Sequence, residues 1–552
     1  MPTVQEVIRR LLPAGTGFAD EDDLSRCPVW PPDVFAVTAS LIELSGCYAL
    51  SRYGGRAGSG GLFGKAYRKR VRDGAKEWRR NIRPPPLARE CWDTLAKSNE
   101  AISTGGPGAE TWHDAAIQLL AMADEACAGI GFSLSGHSYP FADFALRAHR
   151  EYLATGARPL PHIPSSLCVL VPSSEASVLP KTRTAQVGCT LRTMSHHLAL
   201  LPPQSHVVAR WHMSVSREKQ TGDLRLLLVP YPFHMLASAF VAGKRIGDES
   251  SSAHFTIKQE WLRRIGSNAR VVSQLTTFIR VLIQEARRKV GPVNGIVLPE
   301  GCLDEASASK IARRLAGTPH LEFFIAGVSS PPKGAHRAPR NRAYASLYFK
   351  ENVLEWWQSK HHRWCVDASQ IRRYDLSDAL DPPEWRWWED IDISDRQVNF
   401  YVFRPGASIA VLVCEDLARV DPVQPVVRAV GPTLLVSLLL DGAQEERRWP
   451  GRYATVLADD PGCAVLTLTS LGMVRRSMRP GESRAMPVAL WKDSTGATEL
   501  ALPQGSHGLL LTLKTSDEEN WTLDGRSDGE TTVSLTLVKK DEITHPEPPS
   551  WV

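Results

Sequence analysis

Apolar and polar positions recur along this chain with two different periods, and the change between them divides it. Over 33–48 and 111–129, apolar residues fall at helical spacing without internal proline, which predicts two helices. Residues 1–165 read as a mainly helical N-terminal domain. The stretch 166–204, with Pro180, Lys181, Arg183 and Arg192, has no clear period and reads as a connecting segment. From 205 onward, short apolar runs bounded by turn residues take over. They predict strands at 224–229, 295–298, 321–327, 342–349, 353–359, 398–403, 409–413, 433–439, 464–468, 486–491, 509–513 and 532–537. Helical spacing returns at 271–290 and 304–316, from about 417, and briefly at 452–457. Strands that alternate with helices and then dominate imply an α/β layered domain over 205–540, followed by a tail at 541–552.

Composition narrows the class. The 552 residues are 43% hydrophobic and 23% charged, close to globular averages, so a disordered or fibrous chain is excluded. A net charge of +5 is too small to mark a nucleic-acid binder by itself. Ten cysteines lie singly with no Cys-x-x-Cys pair, which argues against a zinc ribbon or a disulfide-stapled secreted domain and for a reducing, cytoplasmic setting. No secretory leader is expected at the start. The uncharged run 226–243 is broken by Pro230, Pro232 and His234, so it reads as strand, turn and apolar segment, with no membrane partner.

Three strand ends carry chemically useful groups: Glu300 after Gly295-Ile296-Val297-Leu298-Pro299, Lys360 after Trp356-Trp357-Gln358-Ser359, and Cys414 after Val411-Leu412-Val413. Strand ends over a rigid sheet are where catalytic groups are usually mounted. Singly, a solvated acid, a surface lysine and a core thiol are the ordinary readings. Together and in this order they resemble the Glu-Lys-Cys triad of the nitrilase (carbon–nitrogen hydrolase) superfamily. The resemblance extends to Gly431-Pro432-Thr433-Leu434-Leu435-Val436, similar to the family's strand after the nucleophile helix, and to the helix at Arg447-Arg448-Trp449 and Arg452-Tyr453-Ala454.

The resemblance covers about 205–540 and implies a four-layer αββα sandwich behind the helical N-terminal domain. It implies an amidase- or nitrilase-type hydrolase of a small amide or nitrile, needing no cofactor, and a homo-oligomer. Cys414 would be the nucleophile, Glu300 the general base, and Lys360 the oxyanion stabiliser. The backbone N–H of Glu415 would be a second donor, at the start of a helix whose dipole favours thiolate. Glu389, in a stretch read as a loop (Trp385-Arg386-Trp387-Trp388-Glu389), would be a second acid; an ordinary loop acid is the competing reading. Such chemistry needs these types, because a free thiol is a weak nucleophile until a base within hydrogen-bond reach takes its proton.

The sequence departs from the family's pattern in two places. The Glu300–Lys360 gap is short, and an insertion at about 231–267 separates the first strand from its helix. Lys350 rivals Lys360 but falls at the turn of the predicted hairpin. The tryptophans 356, 357, 364, 385, 387 and 388 are either pocket wall or core and an association surface. His361 and His362 are adjacent, and in an extended chain would face opposite ways, so no metal is expected. The Gly-rich 54–65 lacks the residues of a phosphate loop at two positions and reads as a linker. Residues 65–83 hold nine basic and two acidic side chains, interleaved with Tyr67 and Trp78. That stretch from Lys65 to Arg83 is a candidate contact for nucleic acid or a protein partner, against the plainer reading of a solvated helix face. It supports an alternative function: a binding protein, of the kind found in multidomain bacterial defence proteins, whose nitrilase-like domain is a sensor or degenerate module.

Overall fold

The computed structural model of the chain describes residues 1–16, 24–50, 64–102, 111–132, 150, 165–212, 222–247, 250–331, 338–349, 352–478, 486–527 and 531–552. The glycine-rich stretch through residue 63 and the rival Lys350 lie outside them. Among the described residues, five α-helices open the chain: α1 (Val4–Leu11), α2 (Pro31–Ser45), α3 (Lys65–Asn81), α4 (Pro86–Lys97) and α5 (Thr111–Ala126). They share one core, to which Val171, Val178 and Leu198 of the next segment belong. The unperiodic 166–204 is therefore structured. It holds a small antiparallel hairpin of β1 (Ser177–Pro180) and β2 (Leu198–Leu201), too short to show alternation.

The rest builds two seven-stranded sheets. After β3 (Val208–His212) and β4 (Leu224–Leu228), the insertion forms β5 (Phe240–Arg245), β6 (Ser252–Ile257) and α6 (Glu260–Ile265). Then come α7 (Asn268–Lys289), β7 (Gly295–Val297), α8 (Glu305–Leu315), β8 (Phe323–Ser330), β9 (Arg340–Phe349) and β10 (Asn352–Ser359). The chain continues through β11 (Cys365–Val366), α9 (Ala368–Arg373), β12 (Arg386–Glu389), β13 (Gln397–Arg404), β14 (Ala407–Val413) and α10 (Val423–Val430). It closes with β15 (Leu434–Leu439), α11 (Trp449–Asp459), β16 (Ala464–Thr469), α12 (Leu471–Arg476), β17 (Met486–Asp493), β18 (Gly496–Leu502), β19 (Gly508–Glu519) and β20 (Thr531–Ile543).

One sheet has the order β10-β9-β8-β7-β4-β19-β20 and the other β18-β17-β16-β15-β14-β13-β3. Their facing sides share one apolar core, with Val411 and Val413 of β14 beside Ala343 and Ala345 of β9. On the outer face of the second sheet a separate core seats α10 and α11 through Val426, Val427, Ala454 and Leu457. On the first, α7 and α8 bury Phe278, Leu282, Ile311 and Leu315. This is an α/β fold in four layers, helix–sheet–sheet–helix. The central β4, β7, β8 and β14, β15, β16 are parallel and almost wholly buried, so their sequences are predominantly apolar.

Three details differ from the sequence reading. The chain after Cys414 makes only a four-residue 3-10 turn, Cys414–Leu417, and the helix starts at Val423. The helix-dipole contribution expected at the thiol has no full helix behind it. Glu389 ends strand β12 rather than standing in a loop; β12 joins β11, β6 and β5 in a four-stranded sheet. Tyr67 and Trp78 of the basic helix α3 point inward, donating to Asp524 Oδ2 at 2.9 Å and Val29 O at 2.8 Å, so neither aromatic is available to stack on a base.

The long hairpin β19–β20 reaches the helical layer. Just past the end of β19, Arg526 is fully buried and donates to Asp524 Oδ2 (2.8 Å) and to Glu125 Oε1 (2.7 Å) and Asp124 Oδ2 (3.3 Å) of α5. At the end of the chain Trp551 packs edge-on to Tyr231 and Phe278. Among the described residues no helix is long and apolar enough to cross a membrane.

Candidate active site

Glu300 follows β7 through Leu298-Pro299 in a turn whose backbone rests on β8. A Cβ on Gly327 of β8 would lie 2.3 Å from Glu300 Cα and 2.4 Å from Pro299 O. Only glycine permits that approach. Gly327 also donates from its N to Pro299 O (3.0 Å) and accepts from Leu303 N (3.1 Å), fixing the turn on both sides. Lys360 is the first residue beyond β10, tied to the neighbouring strand by donating its N–H to Asn341 O at 3.0 Å. Cys414 is the first residue beyond β14, at φ 49°. That left-handed conformation is uncommon for a residue with a Cβ and strains the backbone, a feature that clusters at functional turns.

These residues come together. Lys360 Nζ donates to Glu300 Oε1 at 2.8 Å and to Glu389 Oε2 at 2.6 Å. Asn341 Nδ2 donates to Glu300 Oε1 and to Glu389 Oε1, each at 2.7 Å. The Trp364 N–H donates to Glu389 Oε2 at 3.3 Å. Glu300 Oε2 and Asn341 Oδ1 are buried and have no hydrogen-bond partner. Cys414 lies within electrostatic reach of both Glu300 and Lys360.

Burial sets the protonation states. It pushes the Cys414 thiol well up, and the Glu300 charge adds to this while Lys360 opposes it, so the resting group is a thiol. Burial also raises Glu300; Lys360 pulls it down, and Glu389 adds to the rise. For Lys360, burial works against the charge, but Glu300, Glu389 and Cys414 outweigh it and hold the ammonium well above its ordinary range. The site thus contains a neutral thiol, a carboxylate of raised proton affinity and a firmly charged lysine.

A cavity of about 940 Å³ opens onto this cluster. Glu300, Asn341, Glu389 and Leu440 line its inner end, and the insertion supplies much of its roof through Ile257, Gln259, Trp261 and Leu262. Gln259 Nε2 donates to Gly301 O (2.7 Å) and Leu303 O (2.5 Å), and Trp261 Nε1 to Cys302 O (2.9 Å). The insertion is thereby latched to the turn that carries Glu300. None of the six clustered tryptophans lines this cavity; Trp364 and Trp387 are core residues, and Trp357 stacks under Arg342.

Two residues escaped the sequence reading. Asn341, which bridges both acids, stands one residue before the predicted strand 342–349, and nothing in the sequence signals that its amide is buried. Asp416 is fully buried and accepts from the His361 N–H at 3.0 Å and bonds His362 Nδ1 at 2.9 Å. The His361 ring Nδ1 also lies 3.4 Å from Asp416 Oδ2, so both rings turn to one carboxylate, contrary to the expectation that they face opposite ways. The clamp ties the turn after Cys414 to the segment after Lys360, which sets those two side chains relative to each other.

No family model and no curated protein matches this chain. Among solved structures it is similar to Nit3 of Saccharomyces cerevisiae, a member of branch 10 of the nitrilase superfamily, at 11% identity and a TM-score of 0.31, over 55% of this chain and 93% of that one. It is similar to a carbon–nitrogen hydrolase from Helicobacter pylori G27 at 12% identity and a TM-score of 0.27, over 55% and 90% of the two chains. An N-terminal amidase structure matches at 8% identity and a TM-score of 0.24, over 40% and 48%.

Proposed function

We propose that the chain hydrolyses a carbon–nitrogen bond of a small amide or nitrile through a thioacyl-enzyme on Cys414. The observation that carries this is the Lys360 ammonium held between Glu300 and Glu389 within electrostatic reach of a strained cysteine, at the end of a cavity. Glu300 takes the Cys414 proton as sulfur attacks the substrate carbon, then gives it to the departing nitrogen; its raised proton affinity suits it to both roles. Lys360 and the Glu415 backbone N–H face the negative charge that develops on the substrate. One such donor contributes about 2.7–4 kcal/mol in comparable sites. Water, with Glu300 again as base, releases the acid. Glu389 holds Lys360 and Asn341 in place and acts as the second acid. The reading includes the domain division at 165, 205 and 540, a homo-oligomer, and no metal or cofactor.

The test is a panel of small amides and nitriles offered to the wild type and to Cys414→Ala, with mass spectrometry for an acyl adduct on Cys414. Products equal in the two proteins would sink the proposal. Thiol labelling alone does not suffice, since Cys189 is exposed and Cys365 half-buried. One observation favours the second reading, a sensor or degenerate module. Lys360 and Cys414 are 1% and 2% exposed and are absent from the cavity lining. On that reading the panel yields nothing, and binding through Lys65–Arg83 is the activity to measure.

A further inference from the structure

A second cleft, of about 450 Å³, shares no lining residue with the first cavity. Its walls carry Arg373 from the end of α9, and Arg447, Arg448 and Arg452 from the entry of α11, against the single carboxylate of Glu445. The concavity is built by close backbone approaches. A Cβ on Gly442 would lie 2.7 Å from Ser477 and 3.3 Å from Arg448 Nη1, and one on Gly451 would lie 2.3 Å from Glu446 O. Arg448 forms the fixed floor, donating to Asp441 Oδ1 (2.8 Å) and Ala443 O (2.5 Å). Arg447 donates to Glu445 Oε2 at 3.0 Å while its side chain stays 77% exposed. Among the described residues no carboxylate lies within ion-pair distance of Arg373 or Arg452. The first turn of the eleven-residue α11, whose N-cap Arg448 makes no side-chain cap, enters the same cleft through Trp449.

We infer that this cleft binds a small molecule carrying a di- or triphosphate. Guanidinium forks pair with phosphate oxygens two at a time, and a helix N-terminus adds partial positive charge. Four arginines around one concavity suit a compact polyanion better than an extended backbone, which would need a track of cations. The inference does not rest on the hydrolase reading.

The experiment is calorimetric titration of the full chain with inorganic pyrophosphate at low ionic strength. Saturable binding is expected, weakened about tenfold to a hundredfold in Arg447→Ala/Arg452→Ala and unchanged in Lys69→Ala/Lys76→Ala on the basic helix. Arg447 and Arg452 are exposed, so the first variant should fold, and matching circular dichroism melts verify this. The lysine replacements Arg447→Lys/Arg452→Lys should bind with intermediate affinity, because charge remains and the fork is lost. Absence of saturable binding by the wild type, or equal affinity in all variants, overturns the inference. So does tighter binding of a single-stranded oligonucleotide than of pyrophosphate through the same arginines, which would assign the cleft to nucleic acid.

Discussion

Lys360 and Arg526 are each fully buried between more than one carboxylate, and they are finished differently. Arg526, between the helical layer and the β19–β20 hairpin, has Asp524, Asp124 and Glu125 around it and donates from Nη2 to Met194 O at 2.7 Å. Asp124 is further satisfied by the N–H groups of His196, His197 and Leu198 at 2.7–3.0 Å. Burial pushes that carboxyl up, yet His197, Arg526 and His196 outweigh it and hold it below its ordinary range. The Lys360 cluster has the same ingredients, but leaves Glu300 Oε2 and Asn341 Oδ1 unpartnered and faces a cavity. Its acid is shifted up instead of down. A saturated cluster with a depressed acid is a clasp; an unsaturated one with a raised acid is equipped to exchange a proton.

The comparison breaks most sharply at the thiol. Under the proposed chemistry, Cys414→Ala should lower turnover by at least about a thousandfold with unfolding unchanged, and Lys360→Met by about a hundredfold or more. Arg526→Met should do the reverse. It leaves three carboxylates without their cation and should lower stability by about 3–5 kcal/mol in urea unfolding, with turnover per folded molecule preserved. Equal stability losses in Lys360→Met and Arg526→Met would erase the distinction between clasp and site.

Much of this was legible from the sequence, for physical reasons. Strands buried on both faces are largely apolar runs, and Glu300 and Cys414 each follow one, while Lys360 closes the second strand of an edge hairpin, so the ends that carry the site can be read directly. Glu389 stands out in the sequence but its strand does not, because β12 is four residues long and is completed by β6 from the distant insertion (Glu389 opposite Phe255). Short strands whose partners are remote leave no local period. Asn341, Asp416 and the Arg526 clasp were invisible for a related reason: a buried polar group acquires its partners only in three dimensions. Tyr67 and Trp78 show the opposite failure, since a basic helix with aromatics at helical spacing was simply amphipathic.

A change outside both clusters probes how tightly the site is held. Gly327→Ala forces the Glu300 turn away from β8, because nothing flexible lies opposite the new methyl group. Overpacking of this kind costs about 1–3 kcal/mol. Displacing the base by a fraction of an ångström to an ångström should cost turnover about a hundredfold, seen mainly in kcat. Retained kcat in a stably folded Gly327→Ala protein would mean that the position of Glu300 is unimportant.

The smallest effect is the most discriminating, because it depends on sign. Asp124 has a folded pKa below its ordinary 3.8, so its stabilisation is present above that value and is lost as pH falls through the lowered folded one. Asp124→Asn should therefore destabilise at neutral pH, and the deficit should shrink in strong acid. Glu300 is raised above its ordinary 4.5, so what it contributes is present below 4.5 and is lost as pH rises through the folded value. Glu300→Gln removes a carboxylate that is unfavourably ionised at neutral pH while Lys360 keeps Glu389 as its partner. That variant should unfold at slightly higher urea than the wild type at neutral pH, with the gain vanishing below pH 4.5, and should have lost turnover throughout. Unfolding midpoints against pH for the two variants should thus depart from the wild type in opposite directions at neutrality and converge on it in acid. Departures of the same sign would show that Lys360 holds its neighbours as firmly as Arg526 does, and the case for a proton-exchanging site would go with that.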